Sequence, residues 1–486
     1  MVSRLFRELH VSWFIGWGCL GVVIGTGMCA YVQSYLFTGF AWPVLAVSLT
    51  FLCFIKRSCW LILVVFCMGC LFGLWRGSLL TAELESYQKY YDQTLELRGL
   101  VSQDASYGGR GDQRLNLSNV VVGGESLKGQ VWISAGKSDV KRGDTVVIKG
   151  KLDEGFGNLS ASMYRAQITE IIRPNPGDIA RRVRDWFGNG VKKGIPEPQV
   201  SLGLGYLVGQ RTALPLTLEE QIKITGLTHV VVASGYNLTI LVVFSRKLFS
   251  TVSKYFATLA SGLMILSFMM VTGLSPSMSR AGLVAGLGLL VWYYGRKMHP
   301  FVLLSFAAAI TVLVSPSYVW GDLGWYLSFG SFIGVIVLAP LLQAYFWEPS
   351  DKTPLLRQLL VDTSSAQIVT MPLILLAFGQ YSLYALPANI LVLPFVPLAM
   401  LMTFIAGIGG LALPGLATFI GFPATLILRY STIVIEKVAN LPNAQKELEF
   451  NPKLMLASYI LIGATTTYLK RRTNYDFRSQ DQNDKY

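Results

Sequence analysis

Apolar runs of about twenty residues recur along this chain, the length at which a helix crosses the hydrocarbon core of a bilayer. Of its 486 residues 52% are hydrophobic and 14% charged, and mean hydropathy is +0.48. Soluble domains carry about 25% charged residues. The balance excludes an ordinary soluble domain and predicts a polytopic α-helical membrane protein. The net charge is +13, for which two explanations stand. One is cytoplasmic loops rich in Lys and Arg; the other is an anionic substrate such as nucleic acid.

Arg4 and Arg7 precede an apolar run over about 11–32. It is too long for the core of a signal peptide and two more runs follow, so it reads as an uncleaved first span. The second run covers about 40–55 and ends at Lys56 and Arg57; the third covers about 59–74. Basic residues favour the cytoplasmic side, which sends the chain outside after the third span. Gly21 and Gly25, and Gly69, Gly73 and Gly77, recur at every fourth position and offer faces for close helix packing. All six cysteines lie in the first 70 residues. Cys67 and Cys70 have redox-motif or zinc-motif spacing but no second Cys or His pair nearby, so they read as helix-packing residues.

From about 83 to 172 the pattern changes. Five short segments rich in β formers, at 95–101, 114–121, 130–134, 145–151 and 162–171, are separated by turn signals such as Gly123-Gly124 and Gly155-Phe156-Gly157-Asn158. Five strands in this length predict a small barrel of OB type, placed outside the cytoplasm by the preceding spans. Such barrels bind single strands with basic grooves and aromatic platforms. Between residues 95 and 173, however, eleven basic side chains face nine acidic ones, and the aromatics are Tyr107, Trp132, Phe156 and Tyr164. A passive or guiding role stands level with a tight grip.

Asp178 can cap a helix running to about Lys193. Ile179, Val183, Trp186, Phe187 and Val191 line one face of it, with Arg181, Arg182, Arg184, Lys192 and Lys193 on the rest. That is the pattern of an interfacial amphipathic helix, with a DNA-contacting collar as the alternative. After Pro196 the chain is apolar almost to its end. Candidate helices lie near 200–210, 228–245, 256–272, 280–295, 300–315, 323–345, 360–378, 386–412, 415–438 and 453–469. The expected plan is N-terminal spans over 1–82, a barrel over 83–175, an interfacial helix over 176–196, a transmembrane core over 197–469 and a polar, disordered tail over 470–486.

Polar groups at membrane depth cost free energy and usually face a bundle interior or a water-filled path. The stretch from Gly226 to Asn237 places His229, one of three histidines, with Ser234-Gly235 and Asn237 inside an apolar run. It is the first candidate for the lining of a route through the membrane, although His229 alone also suits a satisfied core position. Arg280 starts an apolar helix after Pro276. It can attract phosphate, snorkel to the interface or pair with Asp322. Gln367 lies inside a span and can touch a pore or bond a neighbouring helix. Arg211 has Glu219 and Glu220 nearby and reads as interfacial. Asn389 lies among Pro387, Pro394 and Pro397, in a segment suited to a broken-helix transport site. Ser234 lacks an accompanying acid or oxyanion motif, so no serine nucleophile is read here.

Four ordered blocks resemble the ComEC family of competence proteins. They are Gly203-Leu204-Gly205-Tyr206-Leu207-Val208-Gly209 with Arg211, His229 and Ser234-Gly235; the run Gly273 to Ala281; Gly324-Trp325-Tyr326-Leu327-Ser328-Phe329; and the run Ala366 to Leu373, followed by Phe378-Gly379 and Ala388-Asn389. The three N-terminal spans and external OB-like domain match the family layout, and the resemblance covers nearly the whole chain. It implies a cytoplasmic-membrane channel that carries single-stranded DNA inward during natural transformation. His229, Ser234, Asn237, Arg280 and Gln367 would line the path, with Arg211, Pro276, Asp322 and Asn389 in support. The family signature ends in His where this chain has Asn237, which puts any two-histidine metal or proton role in doubt; an amide still bonds phosphate or base.

Many family members also carry a metallo-β-lactamase-like domain. With only His10, His229 and His299 this chain cannot assemble a clustered-His zinc site of that kind. No catalytic residue, metal or cofactor is expected here. Strand degradation would need a separate nuclease, and there is no G-x-x-x-x-G-K-[ST] motif, so a P-loop drive would come from a cytoplasmic ATPase or helicase. A DNA receptor and membrane lipid complete the expected partners, with the oligomeric state open. Two rival readings stay open: a transporter for another solute, and a non-transporting membrane scaffold for the external barrel. If the barrel lies outside, a cysteine placed at Ser106 in a Cys-free background will react with an impermeant maleimide on intact cells. Labelling only after permeabilisation would reverse the topology.

Overall fold

The structure is a computed structural model and describes residues 10–32, 37–56, 60–107, 112–175, 177–210, 214–231, 234–295, 299–348 and 354–475. Arg4, Arg7, Arg57 and Arg211, which enter the charge argument or the site, lie outside the described residues. The chain forms two compact units, Met1–Ile179 with Gly273–Trp325, and Ala180–Thr272 with Tyr326–Tyr486.

Seven helices among the described residues are long and apolar enough to cross a membrane: Val11–Met28, Leu61–Tyr90, Lys254–Thr272, Leu323–Phe346, Leu355–Phe378, Ala385–Ala412 and Pro414–Ala439. The protein is thus a polytopic helical membrane protein. Shorter apolar helices include Gln199–Val208 and Pro300–Val314.

In the first unit, Val11–Met28 packs against Leu61–Leu84 through glycine. A Cβ on Gly21 would sit 2.3 Å from the Phe66 carbonyl oxygen, and one on Gly73 would sit 2.2 Å from that of Val22. The two backbones touch where the spacing of small residues predicted. Thr26 lies in this seam, its hydroxyl donating to the carbonyls of Val22 (2.9 Å) and Gly73 (3.1 Å). Arg76 closes the end of Pro300–Val314, where carbonyls lack intrahelical partners: its Nε donates to the Leu313 carbonyl at 2.8 Å.

The helix Leu61–Leu84 leads through a 3₁₀ turn into the barrel. Five strands carry the sheet: β1 (Thr94–Val101), β3 (Gln113–Val122), β5 (Val131–Ala135), β6 (Thr145–Lys151) and β8 (Ala161–Ile172); the short strands β2 (Ser106–Tyr107), β4 (Glu125–Leu127) and β7 (Asp153–Glu154) attach to them. The five lie within a residue or two of the expected segments. β1 pairs with β6, β6 with β8, β8 with β5, β5 with β3 and β3 with β1, which closes the ring. Only the β5–β8 pair among these is parallel. This is a five-stranded Greek-key barrel of OB type. Its interior follows the period-2 alternation: Leu115, Leu117, Val131, Ile133, Ile148 and Met163 are almost wholly buried.

In the second unit, the helix Ile179–Gly194 divides its side chains between the protein interior and the surface. Ile179, Val183 and Trp186 are exposed, whereas Arg184 and Val191 are buried. The cause is again glycine. Gly190 and Gly194 bring the backbone against Val396–Ala412 and Ala417–Ala439, with the Gly190 carbonyl 2.0 Å from a Cβ placed on Gly410. That contact turns Val191 and Arg184 inward and leaves Ile179, Val183 and Trp186 outward, while Phe187 packs half-buried against Phe404. Two of the candidate helices are broken. The region 228–245 divides into Thr228–Val231 and Gly235–Phe249, and 386–412 is interrupted by a 3₁₀ turn at Leu393–Phe395. The segment 323–345 also contains a π-helical stretch, Gly334–Leu338.

Overpacking a tight interface costs about 1–3 kcal/mol, occasionally more. Gly73→Leu is therefore expected to lower the thermal stability and membrane accumulation of the protein. Gly286→Ala, at a helical site with open space around it, is expected to change neither in the same detergent melting assay.

Candidate functional site

In the first unit the site is built around Arg280. The helix Pro276–Tyr293 begins with Ser275, whose side chain accepts from the Met278 backbone N–H. Pro276 takes a first-turn position, where its missing N–H would have had no intrahelical partner. One turn on, Arg280 is 1% exposed, and its Nε and Nη1 have no hydrogen-bond partner among the described residues. A buried cation without bonds is costly, so whatever carboxylate stands nearby matters.

That carboxylate is Asp322. It precedes the helix Leu323–Ile333 and caps it, its Oδ1 accepting from the Trp325 backbone N–H at 2.7 Å. Its Oδ2 accepts from Asn158 Nδ2 of the barrel at 2.9 Å. Gly324 leaves room between the charges. A Cβ there would lie 3.1 Å from Asp322 Oδ1 and 3.5 Å from Arg280 Nη2. The two charges converge on one small space without a direct ion pair, and Asp322 spends its oxygens on Trp325 and Asn158. Asn158 follows Gly157, which has φ +64° and sits 3.0 Å, measured from a built Cβ, from the Gly321 carbonyl oxygen. Only a residue without a side chain tolerates both the dihedral and the approach.

In the second unit the polar stretch is a break between two helices. Ser234 caps Gly235–Phe249 by accepting from the Asn237 N–H. Asn237 is fully buried; its Nδ2 donates to the Tyr206 carbonyl at 3.0 Å and the Val230 carbonyl at 3.4 Å, while its Oδ1 has no partner among the described residues. The amide thus ties the break to the Gly203–Gly209 block, where Gly205 lets the Val231 carbonyl approach within 2.7 Å of a built Cβ. His229 is exposed, and its Nδ1 lies 3.1 Å from the Gly226 carbonyl. A carbonyl accepts only, so Nδ1 carries the proton there. Asn389 is fully buried, with Nδ2 donating to the Ala385 carbonyl at 2.8 Å and Oδ1 unpartnered among the described residues. Gln367 is half-buried on Leu355–Phe378.

The structure thus brings Ser234 and Asn237 together in one unit and Arg280 and Asp322 together in the other. His229, Gln367 and Asn389 belong with the former; Arg211 lies outside the described residues. Asn158, Gly157 and Trp325 are participants that residue-type reasoning did not single out. The turn signal at 155–158 located two of them without saying what they touch. Among the described residues no group of three His, Cys, Asp or Glu side chains could hold a metal ion.

A family model described as competence protein matches residues 206–472, more than half of the chain. The chain belongs to this competence protein family, the ComEC family of the sequence resemblance. A curated relative, ComE operon protein 3 of Bacillus subtilis (strain 168), is 26% identical over 216 residues, which are 44% of this chain and 27% of the relative. The chain therefore matches about a quarter of that relative's length. No solved structure matches significantly. The family match takes in His229, Ser234, Asn237, Arg280, Asp322, Gln367 and Asn389, so all the described candidate residues lie within the competence region.

Removing one partner of a buried polar contact costs about 1–3 kcal/mol. Asp322→Ala loses the cap, the Asn158 bond and the acid nearest Arg280. It is expected to destabilise the protein by at least that much in a detergent melting assay, while Asp322→Asn, whose amide oxygen can still accept from the Trp325 N–H but whose amide nitrogen cannot accept from Asn158, is expected to lose less. Equal loss in the two variants would assign the effect to the charge and the Asn158 bond and not to the cap.

Proposed function

We propose that this competence-family protein is a membrane channel that passes single-stranded DNA into the cytoplasm during natural transformation, with the barrel on the outer side. The observation that carries the reading is Arg280, a buried cation with two nitrogens left unbonded among the described residues, in a membrane protein of this family. A path for a polyanion needs positive charge, yet not so much that the strand sticks. Arg280 meets both demands, because Asp322 stands close enough to temper it. The arginine is enclosed here, so contact with a strand requires the segment around 273–280 or 318–325 to move.

On this reading His229, Ser234, Asn237 and Gln367 of the second unit, and Arg280 of the first, are the side chains that serve the strand. Access to water lowers the cost of holding each polar group at membrane depth. Arg211, Pro276 and Asn389 support it. The strand would be delivered by a DNA receptor, its complement removed by a separate nuclease, and its movement driven by a cytoplasmic ATPase or helicase. The protein would act as a conduit and not as an enzyme. The buried Asn389, beside the 3₁₀ interruption at Leu393–Phe395, favours a second reading, a transporter for another solute.

Uptake of labelled DNA separates the two. Arg280→Ala is expected to cut DNA uptake and transformation strongly while the protein still inserts, because the attraction for phosphate is lost. Arg280→Lys is expected to keep part of the function, as a point charge without the guanidinium fork. An Arg280→Ala strain that transforms normally would sink the channel reading.

A further inference from the structure

The outer surface of the barrel carries three aromatic rings in contact. Trp132 on β5 lies between the buried Val131 and Ile133 and so points outward. Its ring centroid is 5.6 Å from that of Phe156 and 5.2 Å from that of Tyr164, both edge-on. Phe156 and Tyr164 are 49% and 53% exposed. Rings this open offer faces on which a planar ligand can stack, and rings held edge-on by a third do not collapse together.

The pairing of β5 with β8 shows how the cluster arises. Ile133 pairs with Met163 and Ala135 with Ala166, so Tyr164 and Arg165 together stand opposite Ser134. This bulge breaks the in–out alternation. Two consecutive residues, an aromatic and a cation, both face solvent. Arg165 has φ +50°, a backbone conformation that a long side chain rarely adopts. Bulges re-aim side chains and gather near functional sites, and backbone strain persists where the surroundings enforce it. A second arginine of the sheet, Arg114, is 3.5 Å from Asp112. The Ser134 hydroxyl holds the Asp112 carboxyl below the usual carboxylate range, with the neighbouring Arg114 adding to the effect. Arg114 is thus partly neutralised beside the exposed Arg165.

Phe156 belongs to the loop that also carries Gly157 and Asn158. One four-residue turn therefore supplies a ring to the cluster and the bond to Asp322 beside Arg280. We propose that Trp132, Phe156, Tyr164 and Arg165 form a stacking platform for single-stranded DNA, held through Asn158 to the segment facing Arg280. The ligand class follows from the chemistry. Stacked rings take any unpaired base by its π face, a neighbouring guanidinium takes the phosphate, and a duplex hides its base faces. The modest net charge of the barrel fits a surface that guides a strand without holding it. This deepens the channel reading and rests on it.

The test uses the full chain in detergent micelles. The probes are a fluorescent oligo(dT) of about sixteen nucleotides, the upper end of what one such barrel covers, a duplex of equal length, and vesicles of phosphatidylglycerol and phosphatidylethanolamine. Oligo(dT) is expected to bind more tightly than duplex. Phe156→Ala and Tyr164→Ala are each expected to weaken oligo(dT) binding about tenfold with unchanged melting temperature, and Tyr164→Phe to bind as the parent does. Arg165→Ala is expected to weaken binding and flatten its salt dependence by about 0.7 per lost phosphate contact. Ring variants that bind oligo(dT) like the parent overturn the platform. So does a result in which they lose only vesicle binding, which makes the cluster a membrane-interface anchor. Transformation assays keep the two readings apart. If ring variants bind and transform normally while Arg280→Ala abolishes uptake, the platform alone fails. If the rings matter for oligo(dT) but Arg280→Ala transforms normally, the channel reading alone fails.

Discussion

A polar group in an apolar setting must find a partner, and that demand shapes both units of this protein. Helices meet the demand for most backbone groups, which is why they dominate. The exceptions are informative. Where Leu313 would leave a carbonyl open, Arg76 reaches it. Where a new helix begins at Gly235, Ser234 caps it and Asn237 collects two carbonyls. Where Arg280 is enclosed, Asp322 is held beside it by Trp325 and Asn158. Removing water raises the cost of every unmet bond, so these three places carry side chains that meet part of the demand.

Glycine supplies the complementary half of this scheme. The contact at Gly73 lets two helices touch backbone to backbone, and the one at Gly190 does the same for the helix Ile179–Gly194. Without a hydrophobic force between helices in lipid, close van der Waals packing holds them together. The same device serves a different purpose at Gly157 and Gly321. There it brings a barrel turn against the segment that carries Asp322, so the barrel contributes to the surroundings of a buried charge in its own unit.

Much of this was legible in the residues. The apolar runs announced the spans, the five β-rich segments matched the strands, and the Gly21 and Gly73 spacings named the packing face. These are local signals, repeated at the period of the structure they encode. The form a break takes was harder to see. Nothing in the run 386–412 other than its prolines points to the 3₁₀ turn at Leu393–Phe395, since proline is also tolerated at the start of a helix. The amphipathic pattern of 179–193 was real, but periodicity cannot say which neighbour a face meets, and glycines at 190 and 194 decided it. Asn158 and Asp322 are 164 positions apart, and Tyr164 and Arg165 share a face only because of a one-residue bulge. Contacts of that kind depend on the closed fold and have no local signature.

On the channel reading, the arrangement of charge is itself an argument about mechanism. A path lined with free arginines would hold a strand by every phosphate, since each neutralised phosphate adds to a strongly salt-dependent affinity. In the first unit three cations instead have acids beside them: Arg142 bonds Asp178 at 2.7 Å, Arg114 faces Asp112, and Arg280 converges with Asp322 on the space at Gly324. Each site then offers a phosphate a modest gain, the difference between the new partner and the old. Movement of a polymer past sites of small and similar depth is fast, because no single step must climb out of a deep well. Stacking on exposed rings has the same virtue, as it is indifferent to sequence and gives way one base at a time. A chain of acid-tempered cations and open rings therefore suits transit better than storage.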